Sequence, residues 1–214
     1  MENEFLQKLA DKSMTKEELL KKVKLDFSLL PIILKGVSSS KATIRYGCAK
    51  VLMDLSEEHS QQLYPYMDFF VVLLDSKYRI LTWNSMAVIA NLTKIDKDRK
   101  FDAVFDKYYS FINDEYMVTV ANLVGYSGKI AVAKPHLIEK IANELLKVEH
   151  ILITPHLTEE CKKVIAEQAI KSFYMFFEGV ERKDKVIAFV ERQLKSSRKS
   201  LRDEAENFLK KYVS

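Results

Sequence analysis

Side chains able to do chemistry are scarce in this sequence. His59, His136, His150 and His156, with Cys48 and Cys161, are its whole supply of imidazole and thiol groups. His150 and His156 flank the segment ILITP, and together with Cys161 they form the one grouping that could in principle ligate a metal. Their spacing matches no zinc site, so neither a metal nor a cofactor is expected. Neither cysteine lies in a CxxC pair; both read as small hydrophobes in a reducing compartment. His59 falls where a helix should end, a position at which an imidazolium favours the dipole.

The carboxylates offer Asp102 and Asp106, four apart on one helical face, with Glu139 and Glu144 in the following unit. Such a pair can do acid/base work, although on a helical surface it is more ordinarily a solvated face. GxSxG, HExxH and Gly-rich phosphate loops are absent from the sequence, and Gly125 and Gly128, the one close glycine pair, are expected at a helix C-terminus. With no nucleophile, base and orienter at workable spacing, no catalytic residue is assigned and the chain is expected not to be an enzyme.

Two features point to binding instead. Aromatic residues cluster in Tyr64–Phe70, Phe101–Phe111 and Phe173–Phe177, and helical spacing sends most of them inward. Tyr66 and Tyr109 lie off the main stripe of their helices and are candidates for exposed anchors, beside Asp68, Asp102 and Asp106. The second feature is charge. Residues 1–160 carry 21 Lys+Arg against 22 Asp+Glu, whereas residues 161–214 carry 13 against 8, so the net +4 arises in the last quarter. Lys195, Arg198, Lys199 and Arg202 are candidates for phosphate contacts there, or for a solubilising cap.

These residues must be positioned by helices. Five glycines and four prolines leave little turn chemistry for strands. No stretch approaches the roughly 18 apolar residues of a membrane span, and the N-terminus has no signal-peptide pattern, so a cytoplasmic location is expected. The chain also repeats. TIRYGCAKVLMDLSEE from Thr43 aligns with ILTWNSMAVIANLTKI from Ile80 at an offset of 37, placing Val51 over Val88 and Leu55 over Leu92. The same step leads to VTVANLVGYSGKI from Val118, and AEQAIKSF from Ala166 aligns with RDEAENFL from Arg202 at an offset of 36. Between the two sets, VEHILITPHLTEE reads as an inserted loop.

Each unit divides into a first helix with a small residue in its middle (Cys48, Ser85, Ala169, Ala205) and a second helix after a polar turn. Pro31, Pro65 and Pro135 fall near the starts of second helices, where a missing N–H is harmless. Ser38–Ser40, Asp75 with Ser76, and Asp114 with Asn113 are expected to cap the incoming first helices. Thr15 and Glu18 predict a capping box opening a helix over about 16–24.

FFVVLLDSKYRILTWNSMAVIANL, with the hydrophobic-Arg pairs Ile44-Arg45 and Leu201-Arg202, resembles the HEAT-like (armadillo-type) helical repeat family over roughly 27–213. Thr82 and Thr119 stand in the Arg place of the central units, and the unit after Leu157 is degenerate. The resemblance implies an all-α, right-handed α-α superhelix of about five helical hairpins, its second helices lining a concave face. On this reading residues 1–214 form a single repeat domain: a cap and first hairpin over 1–37, repeats over 38–77, 78–115 and 116–154, a degenerate repeat over 155–199, and a cap helix over 200–214. The charged helix Glu2–Asp11 serves as the N-terminal cap.

The function expected is a monomeric, non-enzymatic scaffold that binds a protein or peptide along that concave face. The alternative is nucleic-acid binding, because HEAT-like DNA glycosylases resemble this chain in length and architecture. Those enzymes need an Asp in an aromatic-walled cleft and a basic concave face, whereas this chain has one Trp and acidic central second helices.

Overall fold

Residues 4–213 are described by the computed structural model, so the expected start of the N-terminal cap at Glu2 lies outside the described residues. The chain packs as two compact units, the first ending at Asp98 and the second beginning at Arg99. That division falls inside the segment 78–115, which the sequence reading takes as one repeat of a continuous domain.

In the first unit, α1 (Glu4–Ala10) precedes α2 (Lys16–Leu25). The capping box is present: the Glu18 N–H donates to Thr15 Oγ1 at 3.1 Å, and the Thr15 N–H donates to Glu18 Oε2 at 2.8 Å. Two of the N–H groups that a helix start leaves unsatisfied thereby find acceptors. Then come α3 (Leu30–Gly36), α4 (Ala42–Glu58), α5 (Ser60–Leu63), α6 (Met67–Leu73) and α7 (Arg79–Leu92). Helix α4 packs against α1, α2, α3 and α7, so its apolar residues are enclosed on nearly every side. Leu55 and Leu92, the residues aligned by the 37-residue offset, are both fully buried.

In the second unit, α8 (Lys100–Tyr109) leads to α9 (Met117–Ala133), α10 (Ile138–Leu146), α11 (Glu159–Phe176), α12 (Lys183–Gln193) and α13 (Lys199–Tyr212). Long helices α9, α11 and α13 lie side by side, α11 in the middle. Among the described residues no strand forms; an isolated bridge between Thr154 and Leu157 pins the expected loop. All three prolines identified as helix starters sit in the first turn of their elements. Pro65 also has a cost, since a 3-10 turn over Tyr64–Tyr66 separates α5 from α6 where one continuous helix was expected.

The turns before the long helices differ from the expectation. Ser39 Oγ accepts from the Lys41 N–H, Ser76 Oγ from Tyr78, Asp114 Oδ1 from Tyr116, and Ser196 Oγ from Arg198. Each acceptor lies two residues before the residue it bonds, and that residue is itself the N-cap, with no side-chain cap of its own. The short polar side chains thus close the turn rather than cap the helix. Only α11 follows the expected pattern, with Thr158 Oγ1 accepting from the Cys161 N–H.

The hydrophobic-Arg position has the same job before α4, α7 and α13. Arg45 donates to the carbonyls of Ser39 and Ser40 at 2.8 and 3.1 Å, and Arg202 donates to that of Ser196 at 2.6 Å. Thr82, which replaces Arg in its unit, reaches the Leu74 carbonyl with its hydroxyl at 3.3 Å. A hydroxyl therefore serves in this unit where the others use a guanidinium, and the departure from the repeat pattern is chemically conservative.

Gly125 and Gly128 occupy the middle of α9, not its end. The reason is packing between helices. A Cβ on Gly128 would lie 3.2 Å from the Ser172 carbonyl oxygen and closer still to the Met175 sulfur. Ser172 Oγ in turn donates 2.6 Å across the seam to the Val124 carbonyl of α9. Absence of a side chain at Gly128 lets the two backbones approach, which outweighs the roughly 1 kcal/mol that a mid-helix glycine costs.

Candidate binding surface

The acidic and aromatic candidates on the second helices do not assemble into a site. Tyr109 is 2% exposed, stacks on Phe105 with ring centroids 4.5 Å apart, and shares a 3.1 Å hydrogen bond with Ser127. It is a core residue; the sequence reading of Tyr109 as an exposed anchor is corrected. α8 buries Phe101, Phe105, Tyr108 and Tyr109, a wider face than a single stripe. Tyr66 is half-buried in the turn before α6, and Asp68, two residues on, is exposed.

Asp102 is tied on two sides, to Arg99 Nε at 2.6 Å and to His136 Nε2 at 2.8 Å. Burial would raise its pKa, but the His136 and Arg99 contacts prevail and hold the carboxyl below its ordinary range. Glu139 is likewise held low, chiefly by Arg182, and Glu144 pairs with Lys147. A carboxylate locked in an ion pair is a poor general base at neutral pH. Asp106 is exposed on the same helix.

The grouping of His150, His156 and Cys161 does not form a site either. His156 stacks on Tyr116 with centroids 4.2 Å apart and planes 8° from parallel, while Cys161 accepts a hydrogen bond from Thr158. Among the described residues no three His, Cys, Asp or Glu side chains gather as a metal site.

In the basic tail, Arg198 donates to Glu160 at 3.0 Å and to Glu167 at 3.2 Å, and Arg202 is spent on its turn carbonyl. Lys195 and Lys199 remain exposed. The four groups therefore do not present one cationic cluster to a phosphate. Glu167 is the hub of this network: it also accepts from Lys171 at 2.6 Å and Ser200 at 2.7 Å. Burial raises its pKa, yet these donors overcome that and lower it to about 2. The network clamps α11 to α13.

What sequence reasoning missed is the face of the long helices. The long helices α9 and α11 share a more extensive contact than the shorter α10 and α12 do. Three large apolar residues on α9 and α11 remain open, Val118 at 43%, Val132 at 55% and Met175 at 49% exposure. A lysine recurs with them. Counting thirteen residues from the N-caps Tyr116, Thr158 and Arg198 gives Lys129, Lys171 and Lys211, all exposed. The Lys211 ammonium lies over the Tyr174 and Tyr212 rings, 5.4 and 4.6 Å from their centroids. In the first unit the same register holds Asp54, which pairs with Lys50, and Asn91, which donates to Ser56 Oγ at 2.9 Å. Alignment from the turn residues would have revealed this row, whereas alignment on apolar residues drifts by a position in α9.

No protein-family model matches the sequence, and a search of curated proteins finds no match. Solved structures do resemble it. A designed armadillo repeat protein superposes with a TM-score of 0.63 at 18% identity, covering 96% of this chain and 89% of its own. A second, solved in complex with the peptide (KR)4, gives a TM-score of 0.65 at 16% identity, with 96% and 90% covered. At such identities the likeness concerns the fold alone: an armadillo/HEAT-like, all-α helical repeat scaffold.

Proposed function

We propose that the chain is a non-enzymatic scaffold that binds an extended peptide segment of a partner protein on its long-helix face. The observation that carries this is the row of side chains left open on α9 and α11, where Val118, Val132 and Met175 stand out from closely packed helices. Scattered apolar residues are ordinary on a surface, but three left open on two neighbouring packed helices offer a docking surface. The complex of a similarly folded designed protein with a peptide supports the same reading. A monomer in a reducing, cytoplasmic setting belongs to the proposal. Cys48 suits it as a buried packing residue, its thiol pushed up to about 12 by desolvation.

Selection from a random-peptide display library tests the reading. Peptides should be enriched on the wild-type chain and lost from a Val132→Asp, Met175→Asp double variant whose helicity is unchanged. Binding indifferent to both substitutions would move the site elsewhere.

Nucleic-acid binding is the less supported reading, because Arg198 and Arg202 are already committed within the fold. Duplex DNA should therefore bind weakly and be released near physiological salt.

A further inference from the structure

The lysine row gives the docking surface a chemical preference. Lys129, Lys171 and Lys211 occupy one register on three adjacent helices, one cation per helix. Helix dipoles favour a cation in any last turn. They do not place lysines at the same register on each helix, nor provide an apolar neighbour for each. Val132 lies one turn beyond Lys129, Met175 one turn beyond Lys171, and Lys211 rests on Tyr174 and Tyr212. We propose that this face of the second unit binds an extended acidic peptide, its carboxylates meeting the three lysines in turn and its apolar residues lying between them. The proposal rests on the peptide-binding reading above and adds the class of partner.

The spacing fits. Packed helices lie about 8–10 Å apart, and an extended chain rises about 3.3 Å per residue, so carboxylates about three residues apart reach successive lysines. Lys171 also serves Glu167, which keeps Arg198 and Ser200 as donors when the ammonium turns toward a peptide. Carboxylates at the ends of α11 are held by partners of their own. Glu160 is paired with Lys163 and Arg198, and Glu178 with Lys183. Asp203 and Glu204 lie about two turns N-terminal of Lys211 on α13. A DNA duplex, much wider than a peptide, would meet Asp203 and Glu160 as it reached the lysines, so a narrow extended chain is favoured.

Fluorescence anisotropy with labelled peptides repeating Asp-Leu-Ser, Asn-Leu-Ser or Lys-Leu-Ser, and with a labelled DNA duplex, tests the proposal at low salt and at about 150 mM. The acidic peptide should bind best and weaken as salt rises. A Lys129→Ser, Lys171→Ser, Lys211→Ser variant should lose about tenfold or more in affinity, since each exposed ion pair contributes up to about fivefold. Its circular dichroism should be unchanged, and Lys195→Ser with Lys199→Ser should leave binding intact. Equal or tighter binding of the neutral peptide, the basic peptide or the duplex overturns the proposal, as does an acidic peptide that the lysine variant binds normally or that wild type does not bind. If library selection yields non-acidic binders that Val132→Asp abolishes, the peptide reading stands and the acidic preference falls. If selection yields no peptide at all, both fall.

Discussion

Replacing Glu167 by Gln removes one charge from the middle of the clamp between α11 and α13. The carboxylate is nearly buried, 11% exposed, and accepts from Lys171, Arg198 and Ser200. Its pKa falls from the ordinary 4.5 to about 2. At about 1.36 kcal/mol per pH unit, that difference of roughly 2.5 units corresponds to about 3 kcal/mol favouring the folded state when Glu167 is ionised. The sign follows from the lowered pKa. Above about pH 5 the group is charged in both states and the full contribution is present. As pH falls, the unfolded chain takes up the proton first, and the contribution vanishes as pH approaches about 2. Gln retains some hydrogen bonding, so Glu167→Gln should cost about 2–3 kcal/mol at pH 7 and progressively less toward pH 3. Urea unfolding followed by circular dichroism at several pH values measures this directly. Because the chain packs as two units, the loss should appear in the transition of the second unit if the two melt separately. A deficit that stays constant from pH 7 to pH 3, or no deficit at pH 7, would refute the ion-pair account of this clamp.

Leu55→Asp or Leu92→Asp should each cost about 4 kcal/mol or more, because a carboxylate would be placed at a fully buried position; unchanged melting in either variant would show that the repeat alignment does not report the core. Gly128→Val should cost about 1–3 kcal/mol by forcing α9 away from Ser172 and Met175, and thermal unfolding compared with Gly125→Ala, which meets no close neighbour, isolates the effect. Cys161 should react with a thiol reagent in the native protein, whereas Cys48, buried with its thiol pushed up to about 12, should react only on unfolding; prompt labelling of both would place Cys48 outside the core.

Features that depend on neighbours along the chain are legible in the amino-acid order alone. Thr15 and Glu18 specify a capping box because the partners are three residues apart. Pro31, Pro65 and Pro135 mark helix starts because proline fixes its own φ, and the 37-residue step exposes Leu55 and Leu92 because each unit must bury the same stripe. Tertiary structure decided what depends on distant partners. Tyr109 is buried because Phe105 and Ser127 close over it. Arg198 is withdrawn from solvent-facing chemistry by Glu160 and Glu167, 38 and 31 residues away. Gly128 is a packing residue only because α11 arrives against it. The proposed binding face depends on distant partners in the same way: periodicity gives each helix an apolar side, but which helices pack against one another is set by side chains meeting across them.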